Sequence, residues 1–475
     1  MKKSINIFWI LAFFLLYPIL FYKQNIGLNV LIYGVALIGF WITLFKEKAT
    51  TKAGVLWLAA NLICLVSVAT YGSWLAFITA ILVVFTTAVY FNQNNVNPIT
   101  SFFASISTMV LAPFNLDNNF ELPYKRKIRA KEIGLYVVIP ASILVGFLLL
   151  YSMADNLFAE VLRNINLDIF TVRFVLTLMF GLLLIYTITH TMVSRKTARL
   201  EKWAGTKAGT KDRFPIKMIP RAYEETTGNI TLVMLNLLLF FVILTDVRYR
   251  ILGEALPAGL SHSEYLHQGI ISLILSILGA ILMMAWLYRI KGQNSRTLKF
   301  LSITWLVQNL VLVILNVIRN TAYINDMSLT YKRIGVYFYL LGAIIGISYT
   351  IMYVLKEQNF LHLFRLNVYS FLAILILTSP LPWDQIITRF NVQHALHKHK
   401  NIDYKYIKSL NNPDLEYLYQ YRHSVLPEHN ASSLVYDMEQ SIYEHQSTKM
   451  LSKTFYQTHQ NKLYLNHPEL KQLFK

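Results

Sequence analysis

Apolar residues in this chain come in blocks of about twenty that alternate with short polar stretches. A helical block of that length crosses the hydrocarbon core of a bilayer, which is about 30 Å thick. The pattern therefore predicts an all-α integral membrane protein with about eleven transmembrane helices. The predicted spans are 5–22, 27–45, 53–71, 73–90, 133–151, 169–193, 229–247, 268–288, 300–318, 335–355 and 361–379.

Basic residues between the blocks predict how the chain is oriented. Clusters at 2–3, 46–52, 125–131, 194–228 and 289–299 all favour the cytoplasmic side. These clusters predict a cytoplasmic N-terminus and an extracytoplasmic C-terminus. The first block lacks a small-residue cleavage site, so we interpret it as a helix that is retained.

The block at 98–113 is short, rich in Ser and Thr, and bounded by Pro98 and Pro113. Both of its flanks are predicted to be cytoplasmic. We therefore expect a short re-entrant or interfacial segment that does not cross the bilayer, and the sequence leaves these two alternatives open.

The chain after the last block is polar and nearly balanced in charge, and we expect it to be a small helical tail. Asn412-Pro413-Asp414 is a typical helix start, with a capping residue, a proline and then an acid. The pattern of Asp403, Tyr406 and Ile407 recurs as Asp414, Tyr417 and Leu418, and it predicts ordered helix from about Asp403 to Tyr421.

The predicted units are N-terminal transmembrane helices with the re-entrant or interfacial segment (1–113), a basic cytoplasmic linker (114–132), a core transmembrane domain (133–380) and an extracytoplasmic helical tail (381–475).

Composition supports the membrane interpretation. Hydrophobic residues make up 55% of the chain and charged residues 15%, whereas soluble proteins carry about 25% charged residues. The net charge of +19 lies in the loops, without the basic and aromatic face that a nucleic-acid-binding protein needs, so no nucleic-acid partner is expected. The single cysteine, Cys64, excludes a disulfide within the chain.

We find no motif of a metalloprotease, a serine hydrolase or a dinucleotide-binding enzyme. His394, His397 and His399 are close together, but lysines flank them, and we interpret the stretch as solvated surface. The sequence therefore predicts no catalytic residue, no metal site and no cofactor, and an enzyme is the less favoured interpretation.

Polar residues gather instead at the predicted outer ends of the later spans. Opposite charges at that depth lower each other's desolvation cost. We expect them to form an outer-face polar cluster, either as structural ion pairs or as a ligand site. The candidate residues are Arg173, Asp246, Arg248, Tyr249, Glu264, Tyr265, His267, Arg319, Tyr323, Thr330 and Arg333.

Asn236, Gln308 and Asn309 are predicted to lie deeper in the membrane. Amides at that depth either join helices by hydrogen bonds or line a transport path, and we favour the first role. No acidic residue is predicted at the midplane of a span, which argues against a proton- or sodium-coupled transporter.

Three stretches also carry a resemblance. They are LTDVRYRILG at 244–253, SEYLHQG at 263–269 and RNTAYINDMSLTYKR at 319–333. In order and spacing they resemble the hallmark run of a bacterial membrane family, domain of unknown function 4173, with the related domain 4153. The positions that match the family pattern are Arg248, Tyr249, Glu264, Tyr265, Arg319, Tyr323, Leu329, Thr330 and Arg333, and in the tail Asn391 and Leu426-Pro427. Asp246 departs from that pattern, and the resemblance implies a membrane location without an activity.

The sequence leaves three functions open. The favoured one is a non-enzymatic sensor, scaffold or binding protein of the bacterial cell envelope. The alternative is a transporter or permease for a small solute, and a membrane-embedded lipid-processing enzyme is third. We expect a multi-pass location in the bacterial cytoplasmic (inner) membrane, with the lipid bilayer as surroundings and an envelope protein as partner of the tail.

Overall fold

The computed structural model describes residues 7–93, 96–119, 172–191, 193, 197, 221–250, 276–277, 279–288, 295–356 and 360–464. This part of the chain is helical and contains no β-strand. The helices of the membrane bundle are α1 Ile7–Phe21, α2 Leu28–Leu44, α3 Lys46–Ala49, α4 Lys52–Tyr71, α5 Trp74–Asn92, α6 Pro98–Asn119, α7 Val172–His190, α8 Arg221–Arg250, α9 Arg296–Met327, α10 Tyr331–Lys356 and α11 Phe360–Thr378. The helices of the tail are α12 Trp383–Lys398, α13 Tyr404–Lys408, α14 Leu415–Gln420, α15 Arg422–Val425, α16 Glu428–Ser447, the 3-10 turn Met450–Ser452 and α17 Phe455–Tyr464.

The predicted all-α membrane fold is confirmed. In the described part of the chain, seven helices are long and apolar enough to cross a membrane, namely α4, α5, α7, α8, α9, α10 and α11, while α1, α2 and the apolar part of α6 are shorter. Each predicted span coincides with a described helix, with two exceptions. The span 133–151 lies outside the described residues, and 268–288 is described only at 276–277 and 279–288.

The hairpin of α4 and α5 shows how short polar signals position two apolar helices. The Thr51 hydroxyl accepts a hydrogen bond from the Gly54 N–H at the start of α4 (3.0 Å). Gly72 ends α4 in the left-handed conformation (φ 61°), which glycine adopts without strain. The Ser73 hydroxyl then accepts from the Ala76 N–H (3.2 Å), so α5 begins at once.

A first core joins α1, α2, α4, α5, α7 and α11. Aromatic packing fills much of it, as between Trp41 and Phe91, whose rings stack with centroids 5.7 Å apart. A polar bond inside this apolar bundle joins α4 to α5, because the Asn61 amide donates to the Thr87 hydroxyl over 2.6 Å.

A second core joins α8, α9, α10 and the helical residues 279–287. Helix α11 belongs to both cores, since Leu363 is buried in the second and Leu372 in the first. The two groups of helices are therefore connected through α11.

Helix α6 enters the bundle instead of lying flat on its surface. Ser101 and Ser105 are fully buried, and the Phe102 ring lies 6.1 Å from the Phe85 ring of α5. The helix continues to Asn119, beyond the predicted end at Pro113. The choice between a re-entrant and an interfacial segment, and the absence of a full crossing, stay predictions.

The tail forms a compact helical domain that shares its core with the bundle. Its core includes Ile387, Leu418 and Leu434 from the tail and Ile324 and Leu329 from the corner between α9 and α10. The division of the whole chain at residues 113, 132 and 380 stays a prediction. The tail that follows residue 380 does not have a hydrophobic core separate from that of the bundle.

The stretch predicted as ordered helix from Asp403 to Tyr421 is ordered but not continuous, because residues 409–414 between α13 and α14 are not helical. The repeated pattern is a repeated helix cap. The Asp403 carboxylate accepts from the Tyr406 N–H (3.0 Å), and the Asp414 carboxylate accepts from the Tyr417 N–H (3.1 Å). The prediction that Asn412 caps a helix beginning at Pro413 was wrong by two residues, because Asp414 is the cap and its side chain reaches the amide three positions on.

Candidate functional site

The tail domain and the ends of several helices meet at one end of the bundle, where Asp246, Arg319 and Arg333 of the predicted polar residues also lie. The Asn412 side chain donates to the Tyr71 carbonyl at the end of α4 (2.6 Å). The Ser452 hydroxyl accepts from the Asn25 N–H (2.8 Å) and donates to Gln24 Oε1 (2.6 Å), both in the turn between α1 and α2. We call this region the capped end of the bundle.

Asp246 and Arg319 form an ion pair that joins α8 to α9. Arg319 Nη2 lies 3.2 Å from Asp246 Oδ1, and the two residues are 8% and 9% exposed, respectively. Each ion lowers the desolvation cost of the other, and the planar guanidinium suits a carboxylate. The sequence analysis placed both residues in one predicted polar cluster without assigning them to each other.

Arg333 binds the end of α9. Its Nη1 donates to the Met327 carbonyl (2.6 Å) and to the Ser328 carbonyl, and its guanidinium carbon lies 4.2 Å from the centre of the Tyr323 ring. A cation at the C-terminus of a helix neutralises carbonyls that have no helical partner. Arg333 therefore stabilises the corner between α9 and α10, and Thr330 lies half-buried in that corner, its carbonyl accepting from the Ile334 N–H (3.0 Å).

The remaining candidates do not join the Asp246–Arg319 pair in the part of the chain that is described. Arg173 lies on α7 in the first group of helices, where it lines a shallow groove with Tyr17 and Phe21 of α1. Arg248 is exposed on α8. The side chain of Tyr249, and all of Glu264, Tyr265 and His267, lie outside the described residues.

Sequence reasoning missed a hydrogen-bonded contact between the tail and the α9–α10 corner. The buried Asn391 side chain accepts from the Leu329 N–H (2.7 Å) and donates to the Leu329 carbonyl (3.0 Å). A single amide therefore satisfies both backbone groups of a residue between two helices. Asn391 was noted as a match to the family pattern, but its partner, 62 positions away, has no signal in the sequence.

Asp384 is a second missed residue of this contact. Its carboxylate accepts from the Tyr331 hydroxyl (2.7 Å) and from the Asn412 N–H (2.9 Å), and the residue is 7% exposed. It thereby connects α10, α12 and the segment before α14. The available signal was an acidic residue in the first turn of a helix, which the sequence analysis did not use.

The buried amides behave differently from one another. The Asn236 side chain donates to the Leu232 carbonyl of its own helix (2.7 Å) and to the Leu301 carbonyl of α9 (3.1 Å), so it does join two helices. Asn309 and Asn316 donate only to carbonyls of their own helix, at 2.8 Å each. The side-chain oxygens of Asn236, Gln308, Asn309 and Asn316 accept no hydrogen bond within the described part of the chain.

The described histidines of the tail show no ligand geometry. His394 stacks on Phe390 with ring centroids 5.8 Å apart, and partial burial followed by the charge of Lys398 lowers its pKa. In the described ranges, no group of three or more His, Cys, Asp or Glu side chains is arranged to hold a metal ion.

These features define a class: a polytopic helical membrane protein whose bundle is capped at one end by a helical domain. The family model Domain of unknown function (DUF4153) matches residues 53–421. The chain therefore belongs to this family, and the match runs from α4 to the end of α14, so it includes the ion pair and the contact of Asn391. No curated protein and no solved structure matches the chain.

Proposed function

We propose that this protein is a non-enzymatic binding or scaffold protein of the bacterial cytoplasmic membrane, and that its tail domain presents a surface to an envelope protein. The observation that carries the proposal is the face of α16 that points away from the core. Tyr436 and Tyr443 are 64% and 69% exposed. They are seven residues apart and therefore share one face of the helix. Exposed tyrosines of this kind are enriched in protein interfaces.

The opposite face of α16 anchors that surface. Leu434, Met438 and Ile442 are each at most 1% exposed and pack in the core that the tail shares with the bundle. A partner bound to the two tyrosines would therefore be connected to the membrane helices through packed side chains. This arrangement supports a scaffold or sensor more directly than a catalytic role.

The proposal includes an orientation in which the capped end faces outward. Helix α4 runs from Lys52 at one end of the bundle to Tyr71 at the capped end. Lys46 and Lys48 lie beside Lys52, and the Lys48 ammonium donates to the carbonyls of Phe91 (3.0 Å) and Gln93 at the end of α5. The basic residues are thus far from the tail, as the preference of basic residues for the cytoplasm requires. A reporter fused after Lys475 should be active only outside the cytoplasm, and cytoplasmic activity would overturn the orientation.

Site-specific photo-crosslinking in intact cells tests the partner. A benzophenone amino acid at Tyr436 or Tyr443 should give a discrete protein adduct, whereas the same group at the exposed Lys400 should not. The double variant Tyr436→Ala, Tyr443→Ala should keep the stability of the protein within about 0.5 kcal/mol, because both side chains are exposed. It should also abolish the protein adduct that a benzophenone amino acid at a neighbouring position of α16 forms with the partner. Adducts with lipid alone, or equal protein adducts at Lys400, would contradict the proposal.

A permease for a small solute is the second candidate, and it is favoured by a row of amide oxygens on α9 that accept no hydrogen bond from the described residues. Asn309 and Asn316 are seven residues apart, so their acceptors are about 10 Å apart on one face of the helix. A polar row of this kind inside an apolar bundle can bind water or a solute that donates hydrogen bonds. Replacing Asn309 with Leu should abolish solute flux in proteoliposomes if the row is a path. If the row is only structural, the same variant should be as stable as the wild type or more stable, and no flux should be lost.

A further inference from the structure

We propose that residues 449–455 form a lipid-binding segment, which inserts Met450 and Phe455 into the interface of the bilayer and binds anionic headgroups through Lys449 and Lys453. This inference goes beyond the proposed function and does not depend on it. It concerns a different surface of the tail from the tyrosine face of α16.

The depth of the segment follows from its contacts with turns between apolar helices. The Ser452 hydroxyl bonds to Gln24 and to the Asn25 N–H, and the Lys453 carbonyl accepts from the Leu28 N–H (3.3 Å). A turn that joins two adjacent membrane helices lies where the hydrocarbon core ends. The segment is therefore held at the level of the lipid headgroups.

A second turn gives the same depth independently. Thr454 packs against Gly72, where a Cβ atom would lie 3.1 Å from Thr454 Cγ2. Gly72 is the turn between α4 and α5, and both helices are long and apolar enough to cross the membrane. Trp74 follows this turn with 71% of its surface exposed, as expected of a tryptophan at a membrane interface.

Two large apolar side chains of the segment point away from the protein, while Leu451 packs against the first core. Met450 is 78% exposed and Phe455 is 53% exposed, while Ser452 and Thr454 between them are buried against the turns. The small polar residues Ser452 and Thr454 thus face the protein, and Met450 and Phe455 face outward. This is the reverse of a water-exposed loop, and it is the arrangement of a segment that lies in a bilayer interface.

The positive charge around the segment indicates which lipid it would bind. Lys449 is exposed and Lys453 is half-buried, and Lys23 in the turn between α1 and α2 is exposed on the same side. Lysines beside an inserted apolar side chain attract anionic headgroups such as phosphatidylglycerol. The surface therefore fits an anionic bilayer better than a zwitterionic one.

Environment-sensitive fluorescence on the full-length protein in nanodiscs tests the insertion. The only native cysteine, Cys64, is fully buried, so the wild-type chain serves as the labelling blank. The variants Met450→Cys and Phe455→Cys carry an NBD probe. Leu377→Cys, in the last turn of α11 and 72% exposed, is the membrane reference. Lys400→Cys, in an exposed turn rich in Lys and His, is the aqueous reference.

We expect NBD at 450 and 455 to be blue-shifted and quenched by doxyl lipids as strongly as at 377, and NBD at 400 to be neither. We also expect stronger quenching by doxyl-phosphatidylglycerol than by doxyl-phosphatidylcholine at equal mole fraction. The double variant Lys449→Gln, Lys453→Gln should remove this preference, and Lys462→Gln on α17 should keep it. Probes at 450 and 455 that respond like the one at 400 would overturn the proposal. So would a blue shift that doxyl lipids do not quench, because protein would then cover the segment.

Discussion

Arg319 Nη2 lies 3.2 Å from Asp246 Oδ1, and this contact joins α9 to α8 at positions where both residues are more than nine-tenths buried. Replacing Arg319 removes from the buried Asp246 carboxylate an attraction that offsets its desolvation cost. We expect Arg319→Met to lower the free energy of unfolding by about 3–5 kcal/mol. Unfolding in mixed micelles followed by circular dichroism would measure it.

The double variant Asp246→Leu, Arg319→Met is the control for that prediction. Because neither ion remains, it should be more stable than Arg319→Met alone. A variant Arg319→Met with the stability of the wild type would exclude a structural role for the pair. If that variant also lost the function of the protein while accumulating normally in the membrane, the pair would belong to a ligand site.

Asn391 should be needed to attach the tail to the α9–α10 corner. Asn391→Leu leaves the N–H and the carbonyl of Leu329 buried without their partner, at a cost of about 1–3 kcal/mol for each group. Asn391→Asp loses the donor and places a buried carboxylate against the Leu329 carbonyl, so it should also be less stable than the wild type. Protease sensitivity of the tail would report the loss, and a tail that remains resistant in Asn391→Leu would contradict the prediction.

Gly27 should be required for the close approach of the 3-10 turn to α2. A Cβ atom at Gly27 would lie 2.6 Å from the Ser452 carbonyl carbon and oxygen, a distance that real Cβ atoms do not show to backbone. Gly27→Ala should therefore displace residues 449–455, as measured by spin-label distances between α2 and this segment. Gly39→Ala, within α2 and with no described atom within 4 Å of its Cβ position, should leave the distance unchanged and raise helix stability by about 0.5–1 kcal/mol. An unchanged distance in Gly27→Ala would show that the contact is not tight.

The two aspartate caps of the tail should contribute to stability by similar amounts. Asp403→Ala and Asp414→Ala should each cost about 0.5–2 kcal/mol, because each removes the acceptor of a helix N–H. Asp414 also accepts from Arg389 Nε at 2.7 Å and thereby raises the pKa of that guanidinium. Since Arg389 is exposed, this contact should add less than about 1 kcal/mol. A much larger loss in Asp414→Ala, measured by thermal unfolding, would show that the exposed pair is stronger than expected.

Stability of the tail should fall as the pH is lowered. Burial, followed by the charge of Lys453, lowers the pKa of His445 below its ordinary value of 6.5. The unfolded chain therefore binds a proton at a pH where the folded chain does not, so this contribution is present above pH 6.5 and is lost as the pH falls through the folded pKa. The same sign holds for His394. The fall in melting temperature between pH 7.5 and pH 5.5 should be smaller for the double variant His394→Gln, His445→Gln than for the wild type. An equal fall in both proteins would show that these histidines are not its cause.

The sequence by itself determined where the apolar helices lie and that the fold is an all-α membrane fold. Blocks of about twenty apolar residues specify membrane spans because nothing in the hydrocarbon core can satisfy an exposed backbone. Local chemistry also favours the cap at Asp403, because the acceptor and the N–H are only three residues apart. The prediction for Asn412 was wrong since a neighbouring carboxylate could serve equally well, and only the packing of Asn412 against Tyr71 decided between the two.

The sequence also pointed to Asp246 and Arg319, because charged residues near the end of an apolar block need a partner. Their pairing, the separate position of Arg173 beside α1, and the contact between Asn391 and Leu329 were decided by the tertiary structure alone. These contacts join residues that are distant in the chain, and side-chain type shows that a partner is needed without showing which helix supplies it. The tail likewise carries no apolar block that would assign it to the membrane surface. It lies there because its core includes Ile324 and Leu329, which only the folded α9–α10 corner brings to it.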